Sequence, residues 1–590
     1  MLIRLHNIVK RFNLYLHDKL SPRQFFILSS ILVGLSSGLA AIILKYFVHT
    51  IETGVTYYSH NYAEFFLFTL FPILGIGLTV FYIQRFLRGE FKKGGAEIVY
   101  AITKKSSVLP RSQMYTHLIT SALTVGFGGS TGLESPMVTT GSAIGSNYGR
   151  TYRLSYKERT ILLACGASAG IAAAFNAPIA GVLFAIEVLL ADVSASAFIP
   201  LIISAACGAL LSKIVLAEGV ILSFSLKQPF NSVNVPYYVL LGIFCGLLSL
   251  YYARTFTWAE EKIKVVKSHV WRVAIGGSLL SLLLLLFPPL FGEGYETIKV
   301  LSTLNPEVLT QNSLLHTLIT NEGTLLIFLG CLVFLKCIAA ALTIGSGGNG
   351  GNFGPSLFMG AYAGFVFARL LNIIGLSRIP ETNFTLVGMA GILSGVFYAP
   401  LTAIFLIAEI TGGYELMIPL MIVSAISVSV SHYFEPLSME AKRLSAKLNL
   451  PMEDRDKHLL SRLELTSLIE TDFSSIHPDA TLQELVKVIS ASKRNIFPVL
   501  NEVQLVGIVT LDSVRNIIFR HDEYDKKFVK DLMTPPKAVI SPDENLHVIL
   551  KKFDDTKQWN LPVVDHGRYR GFVSKSSLLS QYREELLKSV

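Results

Sequence analysis

Long apolar runs separated by short polar breaks fill the first 440 residues. Gln24–Val48 and Glu64–Ile83 are each long enough to span a bilayer core of about 30 Å, which takes roughly 20 residues. Further runs lie near 198–217, 237–253, 273–291, 325–343, 384–408 and 416–434, many of them interrupted by Gly or Pro. The pattern predicts an α-helical polytopic membrane protein with broken helices. Beyond residue 440 the pattern changes. Leu482–Ile489 and Leu546–Phe553 predict amphipathic helices, each followed by two short strands, which is an α/β unit used twice. The stretch 436–465 is charged and predicts a helical linker.

Charge follows the same division. Residues 441–590 carry 44 charged side chains in 150, about 29%, whereas the first 440 residues carry 49, about 11%. A disordered chain is excluded, and so is a single soluble enzyme of this length; the chain is not read as an enzyme. Residues 1–23 hold Arg4, Lys10, Arg11, Lys19 and Arg23 against Asp18, with no secretory signal pattern. The positive-inside rule then places the N-terminus in the cytoplasm. The net charge of +9 divides as +7 before residue 441 and +2 after it. Basic residues concentrated in membrane loops report topology, so no nucleic-acid partner is implied. Cys165, Cys207, Cys245, Cys331 and Cys337 all lie in the apolar part without metal-site spacing, as buried inert thiols do.

Both parts repeat internally. Gly166–Glu187 aligns without gaps on Gly388–Glu409 at an offset of 222, matching Gly166, Phe175, Ala177, Pro178 and Glu187 with Gly388, Phe397, Ala399, Pro400 and Glu409. Upstream, Pro136, Gly141 and Gly145 match Pro355, Gly360 and Gly364 at an offset of 219. Small residues four apart allow close helix packing in lipid. Two motifs recurring in one order indicate two homologous halves, as in transporters whose sites lie at the repeat interface. In the C-terminal part Ile476–Val509 aligns on Ile540–Val573 at an offset of 64, and 531–535 opens the second unit. The expected organisation is an N-terminal segment 1–23, a membrane domain 24–435 with halves 24–215 and 236–435, a linker 436–465, and paired units 466–525 and 526–590.

The chemistry lies in two glycine-rich breaks, 128–136 and 345–355. Each precedes a helix with proline in its first turn, where the missing N–H costs nothing. The first N–H groups of a helix have no internal partner, and the macrodipole puts roughly +0.5 charge there. Glycine leaves room for an ion to approach. Two such termini meeting at membrane depth would bind a small anion without a full positive charge, so that it can also leave. Glu134 sits at the first break. A carboxylate there either caps the helix or occupies the anion site when ionised and vacates it when protonated, which is a gate. A cation path would suit membrane carboxylates, yet the second break holds no acid and donors dominate both. Glu187 and Glu409 are read as structural acceptors for backbone groups in each half. Lys336 is read as snorkelling or capping the loop at 344–351.

These residues resemble the CLC family of chloride channels and chloride/proton exchangers. Gly132-Leu133-Glu134-Ser135-Pro136 is similar to the family's gating motif GREGP, and Gly351-Asn352-Phe353-Gly354-Pro355 matches its GxFxP motif. The stretch 173–181 is close to the family's usual text. The resemblance covers nearly all of 25–440. It implies a homodimer with one anion pathway per subunit, two inverted repeats, Glu134 as the external gate, and the two motifs as pathway lining. Three positions depart from the family pattern. Lys92-Lys93-Gly94-Gly95-Ala96 stands where the family has the central-ion serine of GSGIP. Ser438-Met439-Glu440 stands where its pathway tyrosine falls. Val188 stands where exchangers often carry an internal proton glutamate, and valine there resembles the channel branch.

The C-terminal pair resembles tandem CBS domains. Thr510-Leu511-Asp512 fits the Thr/Ser-x-Asp pair that holds a nucleotide ribose in such domains, whereas Ser574-Lys575-Ser576 lacks the aspartate. At most one ATP or AMP site is expected, and no cofactor is required for transport. The expected function is chloride transport through a Glu134-gated pathway in a multi-pass cell-membrane protein with cytoplasmic termini, passive like a voltage-gated chloride channel. The alternatives are a chloride/proton exchanger, a fluoride or nitrate channel, and, since magnesium transporters also carry CBS pairs, a magnesium transporter.

Overall fold

The structure, a computed structural model, describes residues 20–62, 70–89, 91–190, 195–216, 228–302, 305–448, 465–542, 544 and 546–581. Arg4, Lys10, Arg11, Asp18 and Lys19, residues 64–69 of the second apolar run, residue 217, and 449–464 of the expected linker lie outside the described residues. The chain divides into two units, Met1–Leu444 and Ser445–Val590.

The first half of unit one contains α1 (Pro22–Tyr62), α2 (Phe71–Leu87), α3 (Gly95–Lys104), α4 (Gln113–Gly126), α5 (Glu134–Thr151), α6 (Tyr156–Phe175), α7 (Pro178–Phe184) and α8 (Ala195–Val215). The second half contains α9 (Val235–Lys264), α10 (His269–Leu286), α11 (Tyr295–Ser302), α12 (Glu322–Gly345), α13 (Phe353–Ile374), α14 (Glu381–Phe397), α15 (Pro400–Ile410) and α16 (Met417–Phe434); α17 (Met439–Leu448) follows it and runs across the boundary between the units. Among the described residues, eight helices are long and apolar enough to cross a membrane. Two of these, α6 and α13, fall outside the predicted runs. In α6 glycine, alanine and serine dilute the apolar signal of a helix packed within the protein, whereas α13 is as apolar as several of the spans that were predicted. The run 384–408 is two helices rather than one. It breaks at Tyr398 and Ala399, before Pro400, with Tyr398 left-handed at φ 58°. The matched break between α6 and α7 has Asn176 at φ 54° before Pro178. A proline disfavours helical backbone at the residue before it, so one sequence signal ends both helices.

Glycine spacing sets the packing. A Cβ on Gly141 would overlap the Gly166 carbonyl, and one on Gly166 would overlap the Gly141 carbonyl; Gly360 and Gly388 repeat this between α13 and α14. The matched carboxylates then cross over. Glu187 of the first half accepts from the Leu401 amide at 3.0 Å, the Thr402 amide at 2.7 Å and the Thr402 hydroxyl at 2.6 Å, at the start of α15. Glu409 of the second half accepts from the Ile179 and Ala180 amides at 3.0 and 2.9 Å, at the start of α7. Each half caps a helix of the other, which satisfies N–H groups that have no capping side chain within their own helix. Lys336 corrects the expectation for it. It is fully buried, not snorkelling, and donates to the Leu290 and Gly292 carbonyls at 3.3 and 3.0 Å rather than to the 344–351 loop. Its stem enters from α12 at membrane depth, where free carbonyls at a chain bend are its nearest acceptors.

Unit two is a four-stranded antiparallel sheet in the order β1-β2-β4-β3, from β1 (Ile496–Asn501), β2 (Gln504–Thr510), β3 (Asn560–Asp565) and β4 (Arg568–Ser574). Helices α18 (Leu482–Ala491) and α19 (Leu546–Thr556) precede the two hairpins. The 64-residue repeat is kept in register: Ile496 pairs with Thr510 and Asn560 with Ser574, and each hairpin shifts register after Val499 or Val563. Ile476 and Ile540 add matching parallel bridges to Val499 and Val563.

Replacing Glu187 by Ala leaves three donors at the start of α15 without their acceptor. An unsatisfied buried donor costs about 1–3 kcal/mol, so the variant is expected to lose about 2 kcal/mol of stability. Thermal unfolding of the detergent-purified protein reads this as a lower midpoint; an unchanged midpoint would remove the cross-cap from the account.

Candidate ion pathway at the joined helix ends

The two glycine-rich breaks bind each other. The Gly132 amide donates to the Gly351 carbonyl at 3.0 Å and the Gly351 amide donates to the Gly132 carbonyl at 2.8 Å, an antiparallel bridge with local two-fold symmetry. The Thr131 hydroxyl adds a bond to the Gly351 carbonyl at 2.9 Å. Surrounding helices brace both breaks. The Thr124 carbonyl takes the Gly129 amide at 2.8 Å, the Thr124 hydroxyl takes the Asn349 amide at 2.9 Å, and Thr343 takes the Ser130 amide at 3.1 Å. The Lys93 ammonium donates to the Gly347 and Gly348 carbonyls at 3.0 and 2.6 Å. α5 and α13 therefore begin side by side with no capping side chain on their first amides. That juxtaposition is the one expected of an anion site built on two dipoles.

Glu134 opens α5 and is 3% exposed. Its Oε1 accepts from the Tyr295 hydroxyl. Its Oε2 lies beside the Gly354 amide and the Gly132 Cα without a well-formed hydrogen bond. A Cβ on Gly132 would collide with this carboxylate, which is why glycine is required there. Phe353 is clamped by Phe175 and Phe397, both at 5.6 Å between ring centroids, and by Phe184 at 6.2 Å. Phe175 and Phe397 are the matched residues of the two halves, so the repeat converges on one ring.

A cavity of about 420 Å³ connects these groups. Of the residues singled out in the sequence, Glu134, Ser135, Gly351, Asn352, Phe353 and Val188 line it. Gly132, Leu133, Pro136, Gly354 and Pro355 are buried around it as backbone support. Asn352 is oriented by the Tyr252 hydroxyl at 3.2 Å. Sequence reasoning missed Tyr295, Glu293 and Lys45. Glu293 accepts from the Leu133 amide at 2.9 Å and so holds the residue before the gate. Lys45 donates to the Ala173 carbonyl at 3.1 Å and to that of Ala174, closing the end of α6. An acid between two glycines, Gly292-Glu293-Gly294, directly after an apolar run was the available signal. In unit two the Thr510 hydroxyl accepts from the Ser513 amide at 3.2 Å, and Asp512 pairs with Arg515 at 2.7 Å while exposed. The matching Ser574 hydroxyl donates to Glu470 at 2.6 Å.

Residues 75–432 match the family described as voltage gated chloride channel, and 465–520 and 529–584 match CBS domains. The chain is 28% identical over 387 residues to a protein of Ralstonia nicotianae named putative chloride channel protein ClcB-like, covering 64% of this chain and 85% of that one. It is 28% identical over 432 residues to chloride channel protein CLC-f of Arabidopsis thaliana, of which it spans 52%. The fold superposes on a slow cyanobacterial Cl-/H+ antiporter with a TM-score of 0.62 at 23% identity, covering 74% of this chain and all of that one.

Proposed function

The chain belongs to the voltage gated chloride channel family of integral membrane anion transporters, and on that premise we propose that it passes chloride through the cavity between Glu134 and the joined helix ends. The supporting observation is the reciprocal bridge between Gly132 and Gly351, which sets two uncapped helix N-termini against one buried carboxylate. Glu134 is the gate. When ionised it competes with chloride for the backbone donors at Gly354 and Phe353; when protonated it yields them. Tyr295 holds the carboxylate in its resting place. Gly132, Leu133, Ser135, Pro136, Gly351, Asn352, Gly354 and Pro355 shape the passage. Val188 faces the cavity with no group that can carry a proton, and this supports passive conduction. The reading includes one pathway per subunit of a homodimer in the cell membrane, as the family resemblance implies. Proton-coupled exchange is the second reading. Glu440 favours it, because a second carboxylate lines the same cavity.

For unit two, we propose a single adenine nucleotide site at Thr510 and Asp512, with both termini in the cytoplasm. The exposed Asp512 carboxylate is free to exchange Arg515 for ribose hydroxyls, whereas the second repeat offers Ser576 at that position.

Three measurements test these readings. In proteoliposomes Glu134→Gln is expected to raise chloride flux about tenfold, the equivalent of about 1.4 kcal/mol of barrier. The reversal potential of the wild type is expected to stay fixed when a pH gradient is imposed at constant chloride; a closed Glu134→Gln variant contradicts the gate, and a shift with pH establishes exchange in place of passive conduction. Calorimetry is expected to show ATP or AMP binding that weakens in Asp512→Ala, and an absence of heat in the wild type would make the CBS pair a structural module.

A further inference from the structure

Glu440 is the residue that departs most usefully from the family pattern. It lies in the first turn of α17, and its carboxylate reaches α3, whose first turn is Gly95, Ala96 and Glu97. The Ala96 amide donates to Glu440 Oε2 at 3.0 Å. Gly94 is left-handed at φ +90°, and side chains at Gly94 or Gly95 would approach the same oxygen to 3.5 or 3.7 Å. Both are ordinary contact distances, so the start of α3 has room for a group the size of a carboxylate, and the backbone of Gly94 is the feature that calls for glycine. Gly94, Gly95 and Glu440 line the cavity that also holds Glu134, whose buried Oε2 lacks a well-formed hydrogen bond.

Glu440 is held by fewer firm bonds than the two carboxylates that join the halves. Glu187 is held by three donors at 2.6 to 3.0 Å, and Glu409 by two at 2.9 and 3.0 Å. Glu440 has one short donor, the Ala96 amide, and one long contact, Arg443 at 3.4 Å; its side chain is 19% exposed. Arg443 also bonds Glu260, which in turn pairs with Lys264 at 2.7 Å, so its charge is shared. Lys93, Lys264, Arg272 and Arg443 line the cavity against Glu134, Glu260 and Glu440. An excess of cations draws anions in, and a carboxylate with a single firm bond is a weak competitor for them.

We propose that Glu440 is a second gate: its tethered carboxylate occupies the Ala96 amide at the start of α3, and a permeating anion takes that place when the side chain swings into the cavity. The inference rests on the reading that this cavity conducts anions. It assigns the position left without the family's tyrosine a carboxylate that competes with the cargo.

The test uses the full chain in proteoliposomes, with chloride efflux from KCl-loaded vesicles, and calorimetric titration of chloride into the purified protein. Glu440→Ala and the size-preserving Glu440→Gln are measured alone and together with Glu134→Gln. The expected result is a severalfold rise in flux for Glu440→Ala over its parent in both backgrounds, with a smaller rise for Glu440→Gln. Chloride binding is expected to tighten severalfold in Glu440→Ala. Flux and chloride affinity equal to or below the parent in both variants overturn the second gate. If Glu134→Gln carries no chloride, the conduction reading fails by itself, and the calorimetry of the Glu440 variants still decides the competition at Ala96.

Discussion

The bridge between Gly132 and Gly351 is the constraint on which the rest of unit one depends. In lipid an unpaired backbone group costs several kcal/mol, so an interrupted helix survives only where protein supplies the missing partners. Here two interruptions supply each other. Their reciprocal bonds fix where α5 and α13 begin, and therefore where two sets of unpaired amides point. Everything adjacent serves that arrangement: Thr124, Thr343 and Lys93 hold the loops from outside, while Phe175, Phe184 and Phe397 fix Phe353 from within.

Glutamate performs different work in this unit according to which donors it meets. Glu187 and Glu409 meet two or three each and join the halves. Glu293 meets the Leu133 amide and positions the residue before the gate. Glu134 meets one hydroxyl and keeps an oxygen beside the Gly354 amide. Lysines play the complementary part. Lys45, Lys93 and Lys336 each close carbonyls at a helix end or bend, so these three charges are spent on backbone, and at the joined ends of α5 and α13 the cargo meets dipoles. That division suits transport, because a binding site made of partial charges holds an anion without trapping it.

Much of this was legible in the sequence, for identifiable reasons. Period and charge density separated the two units, and near-constant offsets in the membrane part and one constant offset in the C-terminal part exposed both repeats, because repeats preserve glycine and proline where backbone geometry demands them. The pairing of Glu187 and Glu409 was readable as structural, yet its crossing between halves was not, since no spacing encodes which helix end a carboxylate reaches. Span α6 was hidden because a helix surrounded by protein uses glycine and alanine for close approach, whereas α13 was apolar enough to be read as a span and was passed over. Lys336 was misplaced because an apolar neighbourhood says that a lysine needs partners without saying which carbonyls are free. Tyr295 and Glu293 escaped because their roles come from a loop that returns to the gate from over 150 residues away.

The central claim is that the joined ends of α5 and α13 form the anion site and that Glu134 fills it. Anomalous diffraction from crystals of the Glu134→Gln protein soaked in bromide tests this directly. The account predicts a bromide peak within hydrogen-bonding distance of the Phe353 and Gly354 amides, beside the Gly132–Gly351 bridge. Ordered bromide elsewhere in the protein with none at those amides would contradict it.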